Sequence, residues 1–108
     1  MTKENERLAR LVEADSAMKF FDTDDREHPR IQWAVYGLPE TNEVVVRASA
    51  AGKEFYKAAP SRLIYPAMID RRFGIDVMDN QLAEELSNAL WAEHGEELKI
   101  LIEKPGSE

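Results

Sequence analysis

Between Ile31 and Gly37 the chain alternates: Ile31, Trp33 and Val35 fall to one side, and Gln32, Ala34 and Tyr36 to the other. Successive strand residues point to opposite faces of a sheet, so the segment reads as a strand. A turn follows over Leu38 to Asn42, and Glu43 to Ser49 is rich in β-branched residues that suit a pleated surface. So short a connection joins antiparallel strands, because parallel neighbours need a crossover of a dozen residues or more. Any fold of this chain is therefore built around a hairpin.

The flanking sequence supplies the other elements. Ala51-Gly52-Lys53 marks a second turn, and Glu54 to Ala58 can provide a third strand. Upstream, Leu8, Leu11, Val12 and Met18 predict an amphipathic helix over Lys3 to Phe20. Thr2 is its candidate N-cap, and Glu4 and Glu6 suit its first turn. Asp22 to Pro29 has no periodicity and reads as a loop. Downstream, Pro66 can open a short helix with Ala67, Met68, Ile69 and Phe73 on its apolar side and Gly74 as its stop. Asp79 then caps a longer helix, with a stripe of Leu82, Leu86, Ala89 and Leu90 and a stop at Gly95. Leu98, Ile100 and Ile102 alternate with their neighbours, predicting a last strand ended by Pro105. The expected fold is α+β: an antiparallel sheet of three to four strands with an N-terminal and a C-terminal helix packed on one face. Residues 1–104 form one domain in this reading, and 105–108 a flexible tail.

At 108 residues, with 44% hydrophobic and 32% charged, the chain can bury a core without covalent staples. It has no cysteine, so disulfides, thiolate metal sites and cysteine nucleophiles are absent. The N-terminus lacks the apolar stretch of a secretory signal, and the apolar runs fall far short of the roughly 20 residues that span a membrane. A cytoplasmic location is expected, with no membrane partner.

Net charge is -7, distributed unevenly. Residues 31–75 carry a net +2, whereas 76–108 carry -7. Overall acidity argues against a generic binder of nucleic acid or anionic lipid. The middle does interleave Arg47, Lys53, Lys57, Arg62, Arg71 and Arg72 with aromatics such as Trp33, Tyr36 and Phe55. It lacks the ordered aromatic pair of RNA-binding sheets, and strand aromatics more often build cores.

Catalytic signatures are missing. His28 and His94 lie far apart in sequence and form no metal-ligand motif, and His94 suits a helix C-terminus. Asp22-Thr23-Asp24-Asp25 resembles a calcium loop only at its start, because the sixth and twelfth positions hold Glu27 and Trp33 in place of glycine and glutamate. No glycine-rich phosphate loop and no nucleophile elbow occurs. No cofactor, metal site or catalytic set is expected, and the chain reads as a non-enzyme.

What stands out is the acidic C-terminal third. Glu84, Glu85, Asn88, Glu96 and Glu97 accompany Trp91, which a helical projection places away from the leucine stripe. Such a face either keeps a small protein soluble or attracts a basic partner, and tryptophan is enriched among binding hot spots. The expected role is a protein-binding module that blocks a basic, nucleic-acid-handling partner, in the manner of a phage anti-defence protein or DNA mimic. The alternatives are a toxin-neutralising immunity protein and a homo-oligomeric adaptor, for example a homodimer in which the basic middle of one copy meets the acidic third of another.

Overall fold

The computed structural model describes residues 3–38, 40–60 and 80–103. Helix α1 (Lys3–Leu11) is followed by four strands, β1 (Met18–Asp24), β2 (Gln32–Leu38), β3 (Glu43–Ala50) and β4 (Lys53–Pro60), and by helix α2 (Asn80–Glu103). The described strands form one antiparallel sheet in the order β1-β2-β3-β4. The fold is α+β, as the sequence predicts.

The hairpin reading holds at both turns. Ala50 pairs with Lys53, leaving Ala51 and Gly52 as a two-residue loop with φ of 52° and 80°. Positive φ at both central positions matches the twist of the strands, though at Ala51 the side chain makes it costly.

Alternation then assigns the two faces. Val35, Val44, Val46, Ala48 and Phe55 pack with Ala83, Leu86, Leu90 and Leu98 of α2. Ala34, Tyr36, Leu38, Val45 and Tyr56 pack with Leu8 of α1. The two helices therefore cover opposite faces, which corrects the expectation of one shared face. Both sheet faces are apolar along β2 and β3, and a sheet of that kind needs a layer on each side.

Two further corrections concern where helix gives way to strand. Helix α1 ends at Leu11, and Met18 to Phe20 belong to β1. That strand also takes Asp22 to Asp24 from the expected loop, pairing them with Ala34, Trp33 and Gln32. A bulge between Lys19 and Phe21 interrupts the alternation that would have marked β1 in the sequence. At the other end, Leu98 to Ile102 continue α2 and form no strand. Leu90, Leu98 and Leu101 lie at helical spacing, and Leu98 is fully buried against the sheet. Gly95 is consequently inside the helix and does not stop it. The expected caps Thr2 and Asp79, the short helix from Pro66 to Gly74, Arg62, Arg71, Arg72 and the tail 105–108 lie outside the described residues.

Two polar devices fix α1 to the sheet. The Asn5 side chain donates to Glu54 O (3.2 Å) and accepts from Tyr56 N–H (2.8 Å). Its amide thus answers the outward backbone groups of β4 as a neighbouring strand would. Arg7 bridges Glu4 and Glu43 at 2.8 and 3.1 Å. Partial burial pushes the Glu43 carboxyl up, but hydrogen bonds from Arg7 and Thr41 outweigh it and hold the group below its ordinary value. On the same sheet face Arg47 donates to the Tyr36 hydroxyl (2.7 Å) and lies over its ring. Burial, with Glu54 nearby, raises the Tyr56 phenol to about 12.

Candidate functional site

Helix α2 is about 36 Å long at 1.5 Å per residue, and its two flanks meet different parts of the sheet. One flank faces the connection between β1 and β2. Asp25 organises that connection. Its backbone N–H donates to Ile31 O and the Ile31 N–H donates to His28 O, both at 2.8 Å. One Asp25 carboxylate oxygen accepts from the N–H groups of Glu27 (3.1 Å) and His28 (3.0 Å). The other accepts from Trp33 Nε1 at 3.0 Å. This side-chain-closed turn, tied to a strand tryptophan, is what places His28 beside the helix. Arg30 adds a second tie, donating to Ile102 O at 3.0 Å.

From the helix side comes Trp91. A Cβ built on Gly95 would stand 3.2 Å from two atoms of the indole ring, so the ring lies back over the glycine one turn later. A glycine inside a helix costs about 1 kcal/mol relative to alanine. Here it makes the room in which the indole lies flat. His28 stacks on Trp91 with ring centres 5.6 Å apart and planes 22° from parallel, and Lys99 Nζ stands 5.5 Å from the Trp91 ring centre. Trp91 is accordingly half-buried beside the leucine stripe. The β1–β2 connection covers it through His28.

A cleft of about 610 Å³ opens between these two walls. Trp33, Val35, Ala83 and Trp91 give it apolar surface. Glu27 on the loop wall and Glu84 on the helix wall give it charge, with Asn88 and Thr23 beside them. The Glu27 and Glu84 side chains are exposed, and their carboxylates make no ion pair or hydrogen bond with the described residues. Arg26 also lines the cleft and bridges to neither of them.

The opposite flank of α2 faces β4 and is built otherwise. Glu97 pairs with Lys53, and Glu93 pairs with Lys57 at 2.8 Å. Hydrogen bonding to those lysines, with their charge, holds both carboxyls below the ordinary value of 4.5. His94 stacks on Phe55 at 4.4 Å. A second cleft, about 670 Å³, lies here, with its carboxylates on α2 already matched by cations.

The six residues singled out in the sequence thus separate. Glu84, Asn88 and Trp91 meet in the first cleft. Glu85 and Glu96 are exposed on the outer face of α2. Glu97 turns to the other flank and is paired within the molecule. Sequence reasoning missed Asp25, Glu27 and His28 as wall-builders. The signal was an aspartate two and three residues before the N–H groups it accepts, just ahead of Pro29.

Chemically, aromatic surface with unmatched carboxylates at its rim suits a cation with an apolar stem. Each histidine lines a cleft, but both are stacked on aromatic rings. Ser87, in the cleft of His28, donates its hydroxyl to Ala83 O. Among the described residues no three His, Asp or Glu side chains converge to hold a metal ion. Tyr36 and Phe55 are buried, and Trp33 is half-buried with its N–H turned to Asp25. No described helix is long and apolar enough to cross a membrane. Compared with known proteins, the chain matches no family model, no curated protein and no solved structure.

Proposed function

We propose that this protein is a binding module for a basic protein surface, acting through the flank of α2 that faces the β1–β2 connection and through the adjoining outer face. One observation carries the reading. On the same helix, Glu93 and Glu97 are neutralised by Lys57 and Lys53, whereas Glu84, Glu85 and Glu96 are exposed and have no cation from the described residues. Unmatched charge of one sign beside an aromatic cleft steers and holds a partner of the opposite sign. In this reading the partner is a nucleic-acid-handling protein whose basic groove the module occupies, so its effect is inhibitory. Two of the middle's lysines, Lys53 and Lys57, are paired with Glu97 and Glu93 within one molecule, so this reading places the binding charge elsewhere on α2.

The test is capture from lysate at low and high salt, with wild type beside the triple variant Glu84→Lys, Glu85→Lys, Glu96→Lys. The expected result is a basic protein retained at low salt, released at high salt and lost by the variant. Capture that ignores both salt and charge reversal would overturn the reading.

A further inference from the structure

The first cleft has a more specific chemistry than the acidic face around it. We infer that it takes an arginine side chain, presented on a short segment of the partner. The inference rests on the proposed binding role and adds the identity of the anchoring group.

Size comes first. About 610 Å³ falls within the usual range of ligand pockets, roughly 300–1,000 Å³, and has room for one long side chain with its flanking backbone. Shape and polarity come next. The apolar surface of Ala83, Val35 and Trp33 matches the methylene stem of a long basic residue. Glu27 from the loop wall and Glu84 from the helix wall both line the cleft, so its charge complements a cationic head. A guanidinium is planar, presents donors along several directions and is weakly hydrated, which favours it over an ammonium in a cleft lined by both aromatic surface and carboxylates.

The walls are also pre-formed. Asp25 spends its two carboxylate oxygens on Trp33 and on the N–H groups of Glu27 and His28, which fixes the loop wall before any ligand arrives. Trp91 is fixed by Gly95 and His28 on the helix wall. Little ordering remains to be done on binding, and pre-organisation of this kind raises affinity. The cations already nearby do not fill the place. Arg26 bridges neither Glu27 nor Glu84, and Lys99 stands over the Trp91 ring from a position two helical turns along.

Two tryptophans, Trp33 and Trp91, are the only ones in the chain, and both line the cleft. Their indole N–H signals in a nitrogen-15 spectrum report on it directly. The probes are acetyl-Gly-Arg-Gly-amide, its lysine counterpart and its citrulline counterpart, which keeps the shape of arginine without its charge. The arginine peptide should shift both indole signals saturably, the lysine peptide should bind more weakly, and citrulline should leave them in place. Glu84→Gln and Glu27→Gln should each weaken arginine binding by about fivefold, the upper end for an accessible ion pair. Glu93→Gln, on the opposite flank, should leave it unchanged. Indole signals that ignore the arginine peptide, or respond equally to citrulline, overturn the inference.

The same variants separate this inference from the broader reading. If a basic protein is captured and lost on reversing Glu85 and Glu96, yet Glu84→Gln has no effect and the peptide does not bind, the module stands and the arginine site falls. If the peptide binds as described but no basic protein is captured, the site stands and the proposed partner class falls.

Discussion

The two flanks of α2 carry the same residue types and put them to different use. Facing β4, Glu93 and Glu97 pair with lysines and His94 stacks on Phe55. Facing the β1–β2 connection, Glu84 has no such cation among the described residues and the aromatic stack is His28 on Trp91. A strand neighbour with lysines four residues apart on one face, Lys53 and Lys57, makes the first flank self-satisfied. On the second flank the loop arginines turn elsewhere: Arg30 donates to Ile102 O, and Arg26 bridges neither Glu27 nor Glu84. Acidity along a helix is thus no guide to function until the opposing surface is known.

The largest effect should come from the residue on which both flanks depend. Leu98 is fully buried where α2 crosses the sheet. Leu98→Ala removes that contact and leaves a cavity, costing about 3 kcal/mol in urea unfolding. A strand edge at this point, as alternation in the sequence suggested, would lose far less, so a cost under about 1 kcal/mol would break the picture of one continuous helix.

Next comes the hub of the unsatisfied flank. Asp25→Ala frees two backbone N–H groups and the Trp33 indole N–H. The backbone groups can turn to water, so the expected cost is about 1–2 kcal/mol rather than the full sum of three bonds. The more telling readout is local: His28 should leave Trp91, and the Trp91 fluorescence should move to longer wavelength. Removing His94 on the other flank should leave that emission in place.

Gly95 sharpens the comparison within the helix itself. At an ordinary helix position, glycine to alanine adds about 1 kcal/mol of stability. Here the new methyl meets a rigid ring at 3.2 Å. Gly95→Ala should therefore bring little or no net stabilisation and should displace Trp91, visible in the same emission. A full gain with unchanged emission would mean that the indole does not lie over residue 95.

The parts of this fold visible in the sequence are those where a local pattern and the tertiary structure agree. Alternation along Ile31 to Gly37 and the β-branched run from Glu43 mark two strands that are central and covered on both sides. Strand β1 was hidden because a bulge disrupts its alternation and its second half, Asp22-Thr23-Asp24, is polar and reads as loop. The end of α2 was misread for the opposite reason. Leu98, Ile100 and Ile102 alternate by chance, and Gly95 resembles a stop, although its job is to accommodate an indole four residues earlier. Within the candidate site, Glu84, Asn88 and Trp91 were legible because they share one helix. Glu27 and His28 were not, because only the turn closed by Asp25 brings them to it, and a fold-dependent neighbour leaves no periodic mark.

The smallest effect tests the paired flank against the unpaired one. Hydrogen bonds from Lys57 and Lys53 depress the Glu93 and Glu97 carboxyls below 4.5 in the folded protein. A group depressed on folding contributes stability that is present above its unfolded value and is lost as pH falls through the folded one. Both pairs are about half-exposed, so screening limits each to between a few tenths and about 1 kcal/mol. Glu93→Gln with Glu97→Gln should lower stability by that small amount at neutral pH and low salt. The difference from wild type should fall away as pH drops below 4.5 and through the depressed folded values, where the wild-type carboxyls become protonated too, and it should shrink with added salt. Glu84→Gln, with no cation among the described residues to lose, should leave unfolding unchanged across the same range. If Glu84→Gln proved the more destabilising of the two at neutral pH, the assignment of one flank to structure and the other to binding would be reversed.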